Sequence, residues 1–176
     1  SCLLIKDDRG PETEYTMEIP SVVCGDQVCR VDMLKIVWDK WGKFDRLEIP
    51  EGVYLEKAEG AHFTTEDYQK LQRILKDATS PLQDFYKGEM VGTVGSEGVG
   101  AMSSASIGVP KSAYVQGAIW TCYTLWHWVQ GETRHIIRTL SGNSYSGAGL
   151  ADLLHSKNPD YQLFAIEQLT QRQDFS

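Results

Sequence analysis

Residues 111–130 are apolar on almost every side, and this stretch limits the possible folds of the chain more than any other. At helical spacing, one side is apolar and a second side is more mixed. The first side consists of Val115, Ala118, Ile119, Cys122, Leu125, Trp126 and Val129, and the second of Tyr114, Gly117, Thr121, Thr124, His127 and Trp128. A helix with so little polar surface has to be buried. We therefore predict a central helix over 111–130 that packs against a sheet.

The N-terminal half supplies the residues for that sheet. Residues 19–49 favour strands, and Trp41, Gly42 and Lys43 supply a turn. The alternation of apolar and polar residues slips near Met33 and Leu34, which predicts a bulge or a strand covered on both faces. Residues 1–18 are polar and predict a flexible arm.

Helix signals follow the predicted strands. Thr64 is a capping residue with Asp67 three positions later, and Phe63 is placed to pack on Tyr68, so a helix begins there and ends near Lys76. Further along the chain, we predict a short strand over 134–141 and short helices over 144–156 and 158–169. The expected fold is α+β: an antiparallel sheet from the N-terminal half packed on a long apolar helix, with short C-terminal helices. The predicted division is an arm (1–18), an α+β domain (19–141) and a C-terminal helical appendage (142–176).

The overall charge excludes one class of partner. The chain of 176 residues has a formal net charge of −7, and no run of lysine and arginine exceeds two residues. Binding to a phosphate backbone needs clustered cations, so we predict no nucleic-acid partner. The apolar stretch is slightly short for a membrane span and contains Gln116 and His127, so we predict no transmembrane segment.

Two of the four cysteines, Cys24 and Cys29, occupy matching positions of a predicted hairpin with Asp26 and Gln27 at its turn. In a two-residue hairpin, this pair is non-hydrogen-bonded, with Cα atoms about 4.5 to 5.5 Å apart, a separation that a disulfide spans. We predict that disulfide, which implies a location outside the reducing cytoplasm. A pair of buried thiols and a metal or redox site remain the alternatives. Cys2, at the start of the chain, is a candidate lipid-attachment site.

The segment 92–108 (GTVGSEGVGAMSSASIG) immediately precedes the apolar stretch and contains five glycines and four serines. Such a backbone bends sharply and offers N–H and hydroxyl groups to a ligand. Pro110 suits the first turn of a helix, whose N-terminus favours anions such as phosphate. The sequence therefore predicts an anion-receptive pocket here.

Motifs for other chemistries are missing from the sequence. It contains no GxGxxG, Walker, HExxH or GxSxG motif, so we assign no catalytic residue and no metal site, and whether the protein is an enzyme stays open. We interpret Trp120, Trp126 and Trp128 as core residues rather than a cofactor cage. His127 is interpreted as a hydrogen-bonded core or rim residue, and His62 as a loop residue that hydrogen-bonds its turn.

Residues 97–104 (EGVGAMSS), followed by the long apolar helix, resemble the FMN-binding domain family found in flavin-carrying subunits of ion-pumping quinone and ferredoxin reductases. Gly100 and Ala101 are in register with the family's Gly-Ala-Thr motif, and Met102 occupies the position of the flavin-accepting threonine. A thioether cannot form the phosphoester that attaches FMN, so the resemblance implies non-covalent FMN at this segment. The implied binding residues are Gly100, Ala101, Met102, Ser103, Ser104 and Ser106.

The resemblance leaves two functions open. The first is an extracytoplasmic module, periplasmic or at the cell surface, that binds FMN for electron transfer with a membrane-associated or periplasmic protein partner. The second is a cofactor-free binding or scaffold domain of the same fold, in which the glycine- and serine-rich segment recognises a partner or a small ligand. Flavin, when bound, would supply the redox chemistry, and the protein would set its geometry and surroundings.

Overall fold

The computed structural model describes residues 4–7, 13–25, 28–85 and 109–172, and its architecture is the predicted α+β fold. Four antiparallel strands lie side by side in chain order: β1 (Leu4–Asp7), β2 (Glu14–Gly25), β3 (Val28–Asp39) and β4 (Phe44–Glu48). Five α-helices follow within these ranges: α1 (Thr65–Lys76), α2 (Ile119–Gln130), α3 (Glu132–Gly142), α4 (Gly147–Leu154) and α5 (Pro159–Arg172). Short 3₁₀ turns lie at Ala58–Gly60, Pro81–Asp84 and Lys111–Ala113.

The sheet has one apolar face and one charged face. Its apolar face joins the main core through the register-matched side chains Tyr15, Trp38 and Phe44, and Met17, Ile36 and Leu47. On the other face, the Arg46 guanidinium contacts Glu14 at 3.0 Å and Glu48 at 2.8 Å. Val37 lies next to Arg46 on that face and is fully buried, so β3 is covered on both sides there.

The bulge that the sequence predicts near Met33 and Leu34 lies further along β3. The register between β3 and β4 shifts between Val37 and Trp38, with Asp45 as the extra residue on β4. At the predicted place, an exposed Met33 precedes a buried Leu34, so side chains there alternate regularly between the two faces. The predicted position was therefore wrong.

The prediction of a flexible arm over 1–18 is wrong for the residues that the structure describes in this range. Leu4–Asp7 forms β1, which pairs with β2, and β2 already begins at Glu14. Tyr15 and Met17 are buried in the main core. Polar residues separate these apolar side chains because only one face of the sheet is buried, and that alternation is the signal that was missed.

Helix α1 forms as the sequence predicts. The Thr64 side chain accepts a hydrogen bond from the Asp67 backbone N–H, and the Asp67 carboxylate accepts one from the Thr64 N–H, which completes a capping box. Phe63 packs against Tyr68, with 5.3 Å between ring centroids. The helix ends at Lys76, and its apolar stripe faces the core.

The central helix begins eight residues later than predicted, at Ile119. Lys111–Ala113 forms a single 3₁₀ turn, and the chain then extends at Tyr114. Gly117 has a φ of +78°, which interrupts helical hydrogen bonding, and its carbonyl accepts from the Ala58 N–H at 2.6 Å. Docking on the 58–60 turn therefore sets where α2 can start.

Helix α2 is fixed from both sides by side-chain hydrogen bonds to main-chain carbonyls. The Trp38 indole N–H in β3 donates to the Val129 carbonyl at 3.0 Å, which ties α2 to the sheet. On the side of α1, the Trp126 indole N–H donates to the Asp77 carbonyl at 2.8 Å, and Gln130 Nε2 donates to the Leu75 carbonyl at 2.6 Å. No helix in the described ranges is long and apolar enough to cross a membrane.

Residues 134–141, predicted as a strand, belong to helix α3. Its buried face carries Ile137 but also Arg138, Ser141 and Gly142. The Arg138 guanidinium donates through Nε to Glu167 at 2.6 Å and through Nη1 to the Trp41 carbonyl at 2.9 Å, which compensates part of its burial, whereas Nη2 is buried without a hydrogen-bond partner. The β-branched side chains of Ile136, Ile137 and Thr139 favoured a strand in the sequence, and the helical spacing of Ile136, Ile137 and Leu140 was overlooked.

The two C-terminal helices form where the sequence predicts them. They enclose a small second cluster around Trp41, whose ring centroid lies 4.6 Å from that of Tyr161 and 4.9 Å from that of Phe164. Because Trp41 belongs to the turn between β3 and β4, this cluster connects α4 and α5 to the sheet.

Candidate functional site

The residues predicted to bind a ligand lie outside the described part of the chain. Gly100, Ala101, Met102, Ser103, Ser104 and Ser106 all fall within 86–108. The described part of the chain continues at Val109, which is buried in the main core. Close by, the Lys111 carbonyl accepts a hydrogen bond from Lys70 Nζ at 2.8 Å. The predicted role of the glycine- and serine-rich segment stays a prediction.

A cleft of about 370 Å³ lies between α2, the sheet and the segment before α1, and we call it the aromatic cleft. The sheet contributes Ile19, Pro20 and Leu34 to its lining, and the segment before α1 contributes Tyr54, Leu55 and Glu56. Helix α2 contributes Trp120, Thr121, Thr124, Leu125 and Trp128. A concave, mostly apolar site with a few polar groups, of about 300 to 1,000 Å³, is typical of small-molecule binding.

The face of α2 that lines the cleft alternates large aromatic and small polar side chains. Trp120, Thr124 and Trp128 are spaced by four residues and therefore lie along one side of the helix. At 1.5 Å per residue, the two tryptophans are about 12 Å apart along the axis. Both are only partly buried, whereas Trp126 is 5% exposed and belongs to the core. Trp126 is a core residue as interpreted, and Trp120 and Trp128 pack against the same core while they also line the cleft.

The segment opposite α2 is a small two-stranded turn. The Phe63 N–H donates to the Leu55 carbonyl at 2.9 Å, and Glu56 and His62 form a β-bridge. The Leu55 N–H donates to the Tyr68 hydroxyl at 2.9 Å, which anchors this segment to α1. These main-chain contacts hold the cleft-lining side chains of residues 54–56 on a defined backbone.

Tyr54 and His62 form a stacked pair on that turn. Their rings are nearly parallel, at an interplanar angle of 3° with 4.9 Å between centroids. Tyr54 also lines the cleft and is 48% exposed, so aromatic surface is available to a ligand. His62 is a loop residue as predicted, but its side chain stacks on Tyr54 instead of hydrogen-bonding its turn.

Among the described residues that line the cleft, Glu56 alone has a charged side chain. The adjacent Lys57 turns to α1, where its Nζ lies 2.8 Å from the Asp67 carboxylate. The hydrogen bond from Lys57 and the capping contact with the Thr64 N–H hold the Asp67 pKa below its usual value. Lys57, the cation next to Glu56 in the sequence, is thus paired with the capping residue Asp67 of α1.

The cysteines fall into two settings. The β2–β3 register pairs Cys24 with Cys29, the alignment that the hairpin prediction requires, and the disulfide itself stays a prediction. Cys122 is a free, buried thiol in α2 that accepts a hydrogen bond from the Val115 N–H at 3.2 Å. Burial raises the pKa of Cys122 to about 11, so this thiol is a poor nucleophile.

Histidine and acidic groups do not assemble a metal site in the described ranges. No group of three or more His, Cys, Asp and Glu side chains there could hold a metal ion. His127 Nδ1 lies 3.0 Å from the Tyr123 carbonyl, and its ring contacts those of Tyr123 and Trp126. The interpretation of His127 as a hydrogen-bonded rim residue is confirmed.

Comparison of the chain with protein families, curated proteins and solved structures finds no match. The aromatic cleft therefore has to be interpreted from its own chemistry. Its lining was only partly foreseen: the mixed side of α2 contains Thr121, Thr124 and Trp128, but the contribution of Tyr54 and Glu56 was missed. The signal for those two residues was the strand-like alternation over 53–56, in which Val53 and Leu55 are buried and Tyr54 and Glu56 are exposed.

Proposed function

We propose that this protein is a flavin-binding module that holds FMN non-covalently and serves electron transfer in a larger assembly. The observation that carries the proposal is the aromatic cleft on α2. This helix is the first α-helix after the glycine- and serine-rich segment, from which the resemblance to FMN-binding domains comes.

The size and the lining of the cleft support the proposal of a bound flavin ring. Its volume of about 370 Å³ lies in the small-molecule range, and the spacing of Trp120 and Trp128 gives it length for a tricyclic ring system. Aromatic side chains favour stacking with planar rings, and the hydroxyls of Thr121 and Thr124 can hydrogen-bond heteroatoms at the ring edge. When bound, the flavin would supply electron transfer, and these residues would bind and orient its ring.

The phosphate of FMN needs different partners. The described lining of the cleft contains no lysine, arginine or histidine. We therefore assign the phosphate to the glycine- and serine-rich segment, with the hydroxyls of Ser103, Ser104 and Ser106 as hydrogen-bonding groups. Met102 lacks a hydroxyl, which is why the proposal is non-covalent binding.

An extracytoplasmic location belongs to the same proposal. It is supported by the strand register that pairs Cys24 with Cys29, because a disulfide at these positions persists only in an oxidising compartment. A periplasmic or membrane-associated redox protein is the partner that this function requires.

The test begins with the visible spectrum of the purified protein and a titration with FMN, followed by flavin fluorescence. We expect flavin absorption bands or saturable uptake of FMN. Replacing Trp128 by Ala should weaken FMN binding by about tenfold, because a stacking surface in the cleft is lost. Leu140→Ala is the control, since Leu140 is 49% exposed and lies outside the cleft.

Replacements in the glycine- and serine-rich segment distinguish binding of the flavin ring from binding of the phosphate. Replacing Ser103 and Ser104 by Ala should weaken binding of FMN but not of riboflavin, which has no phosphate. Colourless protein that takes up neither ligand would refute the proposal and favour the cofactor-free binding or scaffold domain.

A further inference from the structure

Glu56 is held at the aromatic cleft by the main chain of its turn. The Lys57 N–H donates to the Ala61 carbonyl at 2.7 Å, and Phe63 pairs with Leu55 on the other side of the Glu56–His62 bridge. The Cα position of Glu56 is thus fixed by hydrogen bonds on both sides. The backbone at Glu56 is therefore ordered before a ligand binds, and only its side-chain rotamers remain to be fixed.

The Glu56 carboxylate has unused capacity to accept hydrogen bonds. No group in the described part of the chain donates to it, and the nearest basic atom is His62 Nε2 at 3.9 Å, beyond hydrogen-bonding distance. Lys57 is bound to Asp67 and does not neutralise it. The side chain of Glu56 is 36% exposed, so a bound ligand would displace part of the water that solvates it.

A ligand that fills the cleft lies beside Glu56 and can donate a hydrogen bond to its carboxylate. An ionised carboxylate only accepts hydrogen bonds, so a ligand edge with an N–H group is favoured, and an edge with only acceptors or a negative charge is disfavoured. The hydroxyls of Thr121 and Thr124 both donate and accept, and they do not impose this choice. Glu56 is the lining residue that discriminates between such edges.

We propose that Glu56 determines ligand specificity in the aromatic cleft by selecting planar rings that present an N–H donor. This inference rests on the proposed function, because the oxidised flavin ring carries a single N–H, that of its imide. Glu56 would accept that hydrogen bond and so distinguish the flavin ring from rings of equal size without a donor.

The experiment compares two neutral ligands, riboflavin and 3-methylriboflavin, in which a methyl group replaces the imide hydrogen. Binding of each to the wild type and to Glu56→Ala is measured by the quenching of flavin fluorescence. A hydrogen bond to a charged group corresponds to about a tenfold or larger change in affinity, so the wild type should bind riboflavin at least tenfold more tightly. In Glu56→Ala, we expect the two ligands to bind within about twofold of each other.

Glu51→Ala provides the matched control, because Glu51 is an exposed carboxylate outside the cleft. It should retain the wild-type preference. Glu56 is exposed at the surface of its turn, and thermal unfolding of both variants checks that they fold.

The outcomes separate the two proposals. A preference for riboflavin that disappears only in Glu56→Ala supports the role of Glu56. Equal binding of both ligands to the wild type, or an equal preference in Glu56→Ala, overturns that role and leaves flavin binding intact. If the wild type binds neither ligand, the specificity of Glu56 and the proposed function both fall.

Discussion

Replacing Gly42 by Ala tests how the β3–β4 turn packs on helix α3. Gly42 has a φ of +73°, and a Cβ atom there would lie 2.9 Å from Arg138 Cγ and 3.1 Å from the Arg134 carbonyl oxygen. The Arg138 side chain is only 8% exposed and is held by Glu167 and the Trp41 carbonyl, so it cannot move aside. The added methyl group therefore has to displace either a fixed side chain or the backbone.

The expected loss of stability has three parts. The left-handed conformation costs a residue with a Cβ atom about 1 to 2 kcal/mol. Overpacking against Arg138 and Arg134 adds about 1 to 3 kcal/mol. The reduced freedom of the unfolded chain returns about 0.4 to 1 kcal/mol. The free energy of unfolding should fall by about 1 to 5 kcal/mol, a large part of the roughly 5 to 15 kcal/mol of a typical domain.

Gly60→Ala isolates the packing contribution. Gly60 has nearly the same φ, +74°, but no atom lies within 4 Å of its Cβ position. We expect a loss of only about 1 kcal/mol there. Urea unfolding of both variants, with equal m-values, gives the difference directly. If the two variants lose the same stability within about 0.5 kcal/mol, the packing of Arg138 against Gly42 is refuted.

Two further predictions concern titratable groups. Contact with Lys57 and Thr64 lowers the Asp67 pKa from about 3.8, so the ionised carboxylate stabilises the fold above that pH, and this stabilisation is lost as the pH falls through the lowered pKa. The Asp67→Asn variant should lack this pH-dependent stabilisation in acid unfolding. An acid-unfolding curve equal to that of the wild type would contradict the prediction. Thiol titration under non-reducing conditions should find Cys122 unreactive in the folded protein and two free cysteines after denaturation, whereas four free cysteines would rule out the Cys24–Cys29 disulfide.

Local signals in the sequence were enough to predict the elements whose structure depends on residues close together in the chain. Helix α1 combines a capping box and an aromatic pair, which both mark its start, with one apolar stripe that runs into its last turn. The β2–β3 hairpin was predicted from a short turn between strand-forming residues, and the register pairs Cys24 with Cys29 as expected. Agreement between independent local preferences makes such elements predictable.

The errors occurred where tertiary contacts override local preference. Residues 134–141 contain β-branched side chains, but the burial of Arg138 becomes acceptable only through Glu167 and the Trp41 carbonyl, which lie far away in the sequence. The start of α2 depends in the same way on Gly117, whose carbonyl is bound by the Ala58 N–H. A single sequence contains no signal for either pairing.

The candidate site, the aromatic cleft, could not be predicted from local sequence signals either. Its lining comes from three parts of the chain, around Ile19 and Leu34, at 54–56 and along α2, so no motif of adjacent residues could reveal it. The four-residue spacing of Trp120, Thr124 and Trp128 was visible, but helical periodicity shows only that side chains share a face and not what covers that face. The sheet and the 54–56 segment leave this face partly open, so two tryptophans that pack against the core also line the cleft.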